Sequence, residues 1–132
     1  EILPGGGWPT LTLSSRGPSA PIVVIAAPSN LTGSAVVVNK KTARVTLTWT
    51  DNALNENGVL VQRAYDANFT SGVVNATIAG TTLTTFSQSV SRGVTFYYRV
   101  HAFNDTTQSA WSNTFTVRTP YVIGFWLAYL GD

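Results

Sequence analysis

Six acids and one histidine are the chain's whole stock of carboxylate and imidazole proton-transfer groups: Glu1, Asp51, Glu56, Asp66, Asp105, Asp132 and His101. Two-carboxylate hydrolysis needs a pair of acids held a few ångströms apart on rigid elements. Each acid here stands alone in a turn or at a terminus, so no such pair is expected. One imidazole without cysteine or clustered carboxylates does not make a metal site. The alternation around Tyr98 and Val100 predicts that His101 is an exposed, outward-facing strand residue. Serine and threonine are plentiful, yet no GxSxG elbow accompanies them. Gly5-Gly6-Gly7 lacks the lysine and helix that a phosphate-cradling loop requires. With no cysteine, disulfides and thiolate metal ligands are out of reach. The inventory predicts a protein that is not an enzyme and uses no cofactor and no metal.

The one covalent chemistry that spacing suggests is N-glycosylation. Asn-x-Ser/Thr triplets begin at Asn30, Asn68, Asn75 and Asn104. Nine asparagines at this Ser and Thr content produce roughly two such triplets by chance, so four is a mild excess. Asn104 sits where a turn follows its strand, which gives it a structural use of its own. Asn68, near a loop, and Asn75, near an edge strand, have weaker structural reasons to be asparagine.

The elements that carry these residues read almost entirely as strands. Residues 1–20 hold Gly5-Gly6-Gly7, three prolines and one short alternating patch at Leu11-Thr12-Leu13, which predicts an extended arm. Residues 21–27 (PIVVIAA) form a continuous β-branched run, the pattern of a strand buried on both faces. From Pro28 onward, period-two alternation marks strands over 43–50, 59–64, 73–78, 81–86, 94–103 and 111–119, with Pro120 as a stop. In 43–50, Val45, Leu47 and Trp49 share one face while Thr46, Thr48 and Thr50 share the other. Seven short strands with turn signals about every ten residues predict an all-β, immunoglobulin-like sandwich.

Within that frame, Pro28-x-x-Leu31, Val45-x-Leu47-x-Trp49, NENGVLVQRA (55–64), FYYRVHAFN (96–104) and SAWSNTFTVRTP (109–120) occur in order. Together they resemble a fibronectin type III domain of the kind found in secreted bacterial and archaeal proteins. The resemblance spans residues 28–120, between an N-terminal extension, 1–27, and an apolar tail, 121–132. It implies a seven-stranded sandwich with Trp49 at the centre of the core, packed by Leu31, Val61, Tyr98 and Val100. It also implies a tyrosine at position 96, whose hydroxyl closes a corner hydrogen bond. This chain has Phe96, so the turn before that strand is expected to be held in another way.

Composition narrows the partners. Hydrophobic residues make up 44% of the chain and charged residues 11%, against roughly 25% charged in ordinary soluble domains. Thr, Ser and Asn fill the gap, as on secreted β-proteins. The formal charge is +2, and the one dense basic stretch, Lys40, Lys41 and Arg44, reads as a solvated turn. Nucleic-acid binders spread many bases over a face, so nucleic acid is not expected as a partner. No apolar run approaches the ~20 residues of a transmembrane helix. The chain opens Glu1-Ile2-Leu3 without an initiator Met or an apolar signal run, which fits an excised piece of a longer chain or a processed product of a secreted precursor. The second is the favoured expectation and makes the chain extracellular or cell-surface.

The tail Tyr121 to Leu130 (YVIGFWLAYL) is nearly all apolar and follows the proline that closes the domain. Fully burying it is worth something like 10 kcal/mol or more, at about 1.5–3 kcal/mol per large side chain. A filled seven-stranded sandwich has little room for it, and residues 21–27 raise the same problem. Either both ends fold back over their own sandwich, or they dock on a neighbouring copy by strand addition or groove insertion. The second reading makes Ile22, Val23, Val24, Ile25, Tyr121, Val122, Ile123, Phe125, Trp126, Leu127, Tyr129 and Leu130 assembly contacts. The expected function is then a structural extracellular subunit that polymerises into a filament or surface fibre. The alternative is a monomeric binding or spacer module excised from a larger secreted enzyme or adhesin, with glycans as ligands and Tyr97 and Phe103 as candidates for the aromatic row that sugar binding would need.

Overall fold

Alternation of threonine with large apolar residues produces seven strands in two antiparallel sheets. The computed structural model describes residues 24–121. In chain order these are β1 (Ser29–Val37), β2 (Thr42–Thr50), β3 (Gly58–Ala64), β4 (Val74–Ala79), β5 (Thr85–Ser91), β6 (Thr95–Phe103) and β7 (Phe115–Arg118). One sheet has the order β1-β2-β5 and the other β4-β3-β6-β7. Among the described residues there is no helix, and hence none long and apolar enough to cross a membrane.

Each strand's apolar period points between the sheets. β2 buries Ala43, Val45, Leu47 and Trp49, and β6 buries Phe96, Tyr98, Val100 and Ala102. Leu31 and Val61 complete the centre around Trp49, as the resemblance implies. On the opposite face of β2 the threonines pair with hydroxyls of neighbouring strands, Thr48 with Thr32 at 3.2 Å and Thr46 with Ser87 at 3.0 Å. Cross-strand pairs of this kind stabilise a sheet while leaving its face wettable.

Polar side chains also tie the sheets to each other. Gln88 of β5 accepts through Oε1 from the Tyr98 hydroxyl (2.8 Å) and from Arg63 Nη1 (3.0 Å), both on the facing sheet. Burial pushes the Tyr98 phenol up to about 12, against the opposing pull of Arg63, so it stays a hydrogen-bond donor. At the sheet margin the Asn113 amide accepts from Leu31 N (2.8 Å) and donates to Leu31 O (3.0 Å), clamping β1 to the segment that leads into β7.

Several strand expectations shift. Residues 24–28 lie outside any strand, and 21–23 fall outside the described residues. Pro28 has no N–H to give a ladder, and the Ala27 carbonyl accepts from Asn52 Nδ2 at 2.8 Å. The strand expected at 81–86 is instead Thr85–Ser91, because one of its inward positions is filled by polar Gln88, which hides the alternation. The closing strand expected at 111–119 is only Phe115–Arg118. Before it, Ser109 and Ser112 fasten the chain to β6 with their hydroxyls, accepting from Ala102 N (2.9 Å) and Val100 N (3.0 Å).

The turn before β6 is held in another way than by a tyrosine hydroxyl. Thr119, fully buried, donates its hydroxyl to Ser91 O (2.7 Å) and accepts from Val94 N (3.0 Å). Arg92 reinforces the turn by donating to the carbonyl oxygens of Asn39, Pro120 and Tyr121. Phe96 keeps the apolar part of the expected tyrosine's role and is 2% exposed.

Candidate binding face and the two poles

The inward residues of β6 form the core, so its alternate residues Tyr97, Arg99, His101 and Phe103 point out of the four-stranded sheet. Their neighbours on β3 are set by register: Gln62 beside Arg99, Leu60 beside His101 and Gly58 beside Phe103. The Arg99 guanidinium lies between two rings, 4.0 Å from the Phe69 centroid and 4.1 Å from that of Trp111. Its Nε donates to Gln62 Oε1 at 2.7 Å. Stacking of this kind contributes about 0.5–2 kcal/mol, more as water is excluded, and burial holds the Arg99 pKa below its usual value. The Trp111 ring also meets His101 edge-on at 4.3 Å.

Two loops position these rings. The Ser109 and Ser112 anchors hold the segment that carries Trp111 beside β6. Phe69 sits at φ +56° in a turn capped by Asp66, whose carboxylate accepts from Thr70 N, Thr70 Oγ1 and Ser71 N. Those bonds, chiefly from Thr70, hold the Asp66 carboxyl below the usual aspartate range.

His101 therefore differs from the expected exposed strand residue. It does face away from the core, but Trp111 covers it and leaves it 5% exposed. Its Nδ1–H donates to Ala102 O at 3.2 Å. Burial first, then the Arg99 charge, hold its pKa below 6.5, so the ring is neutral at physiological pH. Beside it opens a shallow groove of about 620 Å³ along Leu60, Thr77, His101, Phe103, Thr107 and Gln108. Tyr97 and Phe103, the aromatic pair expected on one sheet, are both half-buried on this face. Arg99, Phe69 and Trp111 escaped the sequence reading because the two rings arrive from loops remote from Arg99 in the chain.

The acids are not all solitary. Glu56, only 3% exposed, lies against Asp51 in the β2–β3 loop. Burial, and then the Asp51 carboxylate, raise its pKa. Two loop residues five apart fold onto each other here, a closure that strand periodicity does not report. Among the described residues no three His, Asp or Glu side chains gather as metal ligands.

Of the four candidate glycosylation sites, Asn30 and Asn104 have structural work. Asn30 takes φ +57° at the register shift in β1 and donates to Thr50 Oγ1 at 3.2 Å; asparagine tolerates that left-handed geometry. Asn104 caps its own turn, accepting from Thr106 N and Thr107 N at 3.0 Å, while its Nδ2 donates to Asn55 O. Asn68 and Asn75 are exposed.

The expected assembly contacts divide by position. Ile22, Val23, Val122, Ile123, Phe125, Trp126, Leu127, Tyr129 and Leu130 lie outside the described residues. Ile25 is 3% exposed and belongs to this chain's own core, whereas Val24 is 72% exposed and Tyr121 59%. Val24 lies beside Asn52 and Leu54, next to the end of β2 at Thr50. Tyr121 lies beside Gly93 and is bonded through Arg92 to the pole that holds Asn39, next to the start of β2 at Thr42. The described chain thus begins and ends at opposite poles, the length of β2 apart, roughly 30 Å at ~3.4 Å per residue.

No protein-family model matches the chain, and no curated protein matches it. Among solved structures it is similar to an Fn3-like protein from Clostridium thermocellum, with 29% identity and a TM-score of 0.50 over 74% of this chain and 96% of that one. It is also similar in fold to the fn3 domain of human collagen alpha-1(XX) chain, at 15% identity and TM-score 0.56 over 78% of this chain and 92% of that one. A two-domain fibronectin type III segment of chicken tenascin matches at 15% identity and TM-score 0.56, over 73% of this chain and 51% of the segment. With seven strands in the order β1-β2-β5 and β4-β3-β6-β7, residues 24–121 form a domain of the fibronectin type III type.

Proposed function

We propose that this chain is a non-catalytic, extracellular structural module that joins copies of itself head to tail through the apolar segments at its two poles, building a filament or surface fibre. The observation that carries the reading is where uncovered apolar side chains sit. Val24 and Leu54, the latter wholly exposed, mark one pole; Val37, Val38 and Tyr121 mark the other. These are also the points where the segment 1–23, which closes on the apolar pair Ile22-Val23, and the strongly apolar segment 122–132 join the domain. Two different surfaces at opposite ends make a heterologous contact, which repeats into a fibre unless its rotation closes a ring. The hydroxyl-coated sheet and the Asn-x-Ser/Thr triplets support an extracellular setting. Sedimentation velocity of residues 1–132 beside a version lacking 122–132 tests this. Concentration-dependent polymers of the full chain, reduced to monomer by the deletion, are expected. A monomeric full chain, or assembly that survives the deletion, overturns it.

A second reading is favoured by the groove beside the Arg99 stack: a spacer or binding module within a longer secreted enzyme or adhesin. Poles at opposite ends suit serial connection equally well, and under this reading the full chain stays monomeric.

A further inference from the structure

Three of the four Asn-x-Ser/Thr triplets surround one surface, the outer face of the four-stranded sheet. Phe69, the middle residue of the Asn68 triplet, stacks on Arg99. Asn104 and Thr106 stand on the rim of the groove, and Thr77, which completes the Asn75 triplet, lines it. Asn75 itself is exposed on the edge strand β4, opposite Gln62. Its Oδ1 accepts from Gln62 Nε2 at 3.0 Å, and among the described residues its Nδ2 makes no hydrogen bond. Asn104 lacks that freedom, since both ends of its amide serve the turn.

We propose that Asn75 is an N-glycosylation site and that the first sugars of its glycan lie in the groove over Leu60, His101 and Phe103. A pyranose ring has an apolar C–H face and a rim of hydroxyls. The groove matches both: Leu60 and Phe103 offer apolar surface, while Thr77, Thr107 and Gln108 offer uncharged hydrogen-bonding groups. No carboxylate or ammonium lines it, so a neutral sugar is a better occupant than a charged peptide or an anion. Register supplies the reach. Asn75 is two residues from Thr77 on the same face of β4, about 7 Å, and β3 and β6 follow at about 4.8 Å per strand.

In the transfer, Asn75 Nδ2 bonds to the anomeric carbon of a glycosyl diphosphate-lipid donor. The anomeric C–O bond breaks, the diphosphate leaves with the electron pair, and Nδ2 loses one proton. The chain is the acceptor and a host transferase is the catalyst. The site is independent of whether the poles assemble.

The test is secretion of the full chain from a eukaryotic N-glycosylating cell, peptide mapping by mass, and hydrogen exchange before and after amidase release of the glycan. Release leaves aspartate at the site, so unglycosylated Asn75→Asp is the matched control. The expected result is an occupied Asn75 whose deglycosylation causes a loss of protection in 60–62 and 101–108, with the three-stranded sheet unchanged and matching the control. Thr77→Ser is expected to keep occupancy and Thr77→Ala to abolish it. A bare Asn75 in the secreted chain, or identical exchange with and without the glycan, overturns the proposal.

Discussion

Replacing Thr119 by valine keeps the side chain's shape and removes one oxygen, which isolates what that hydroxyl does. Thr119 is fully buried, and its Oγ1 is the partner of Val94 N (3.0 Å) and of Ser91 O (2.7 Å). Valine leaves a backbone donor and a backbone acceptor in the β5–β6 turn without that partner. An orphaned buried polar group costs about 1–3 kcal/mol. Ser91 O keeps a second lone pair and the Arg92 contacts still brace the turn, so the net loss is expected to be about 2 kcal/mol. For a domain of this size that lowers the thermal midpoint by about 8–16 °C. Urea unfolding is expected to give a lower midpoint with an unchanged slope, since the same surface is exposed. Amide exchange is expected to speed up first at Val94. A Thr119→Val midpoint within about 0.5 kcal/mol of the parent, the range of ordinary surface changes, refutes the idea that this hydroxyl replaces the missing tyrosine corner.

His101 is the only histidine, so its ring signals titrate alone in an NMR spectrum, with a midpoint expected below 6.5. A depressed folded pKa gives stability that is present above 6.5 and lost as pH falls through the folded value; Trp111→Ala uncovers the ring and is expected to move the midpoint back towards 6.5. Glu56 has the opposite sign, because its raised pKa means stability declines as pH climbs from about 4.5 through the folded value. Glu56→Gln is expected to stabilise the domain at pH 7 and flatten that slope in pH-dependent denaturation, and a less stable variant at pH 7 refutes this. Asn113→Ala removes both bonds to Leu31 and is expected to cost about 1–3 kcal/mol, with hydrogen exchange rising in β1 before any other strand.

The architecture was legible wherever apolar and hydroxyl residues alternate strictly. β2, β3 and β6 fall within a residue of their expected limits, because Val45, Leu47, Trp49 and the Phe96-to-Ala102 series leave only one register that buries the apolar face. β5 was misplaced because Gln88 occupies a core-side position for the sake of Tyr98 and Arg63, a reason that exists only once the sheets face each other. The cover over His101 and the Asp51–Glu56 pair share that cause. Each depends on a loop folding onto a neighbour, and period-two patterning carries no information about loops. Phe96 is the converse case: the chain announced a missing hydroxyl, while the substitute, Thr119, lay among many threonines with nothing to mark it.

Ends at opposite poles have a mechanical consequence. Tension applied at Val24 and Tyr121 runs along the strands, and the hydrogen bonds joining antiparallel strands lie across that direction. The β1–β2 ladder from Ser29↔Thr50 to Val37↔Ala43 is then sheared as a whole instead of being peeled open bond by bond. Its first strand is also pinned to the opposite sheet's side through Asn113. Rupture under force therefore follows the barrier to cooperative unfolding, and a string of such units lengthens in discrete steps, each the release of one domain.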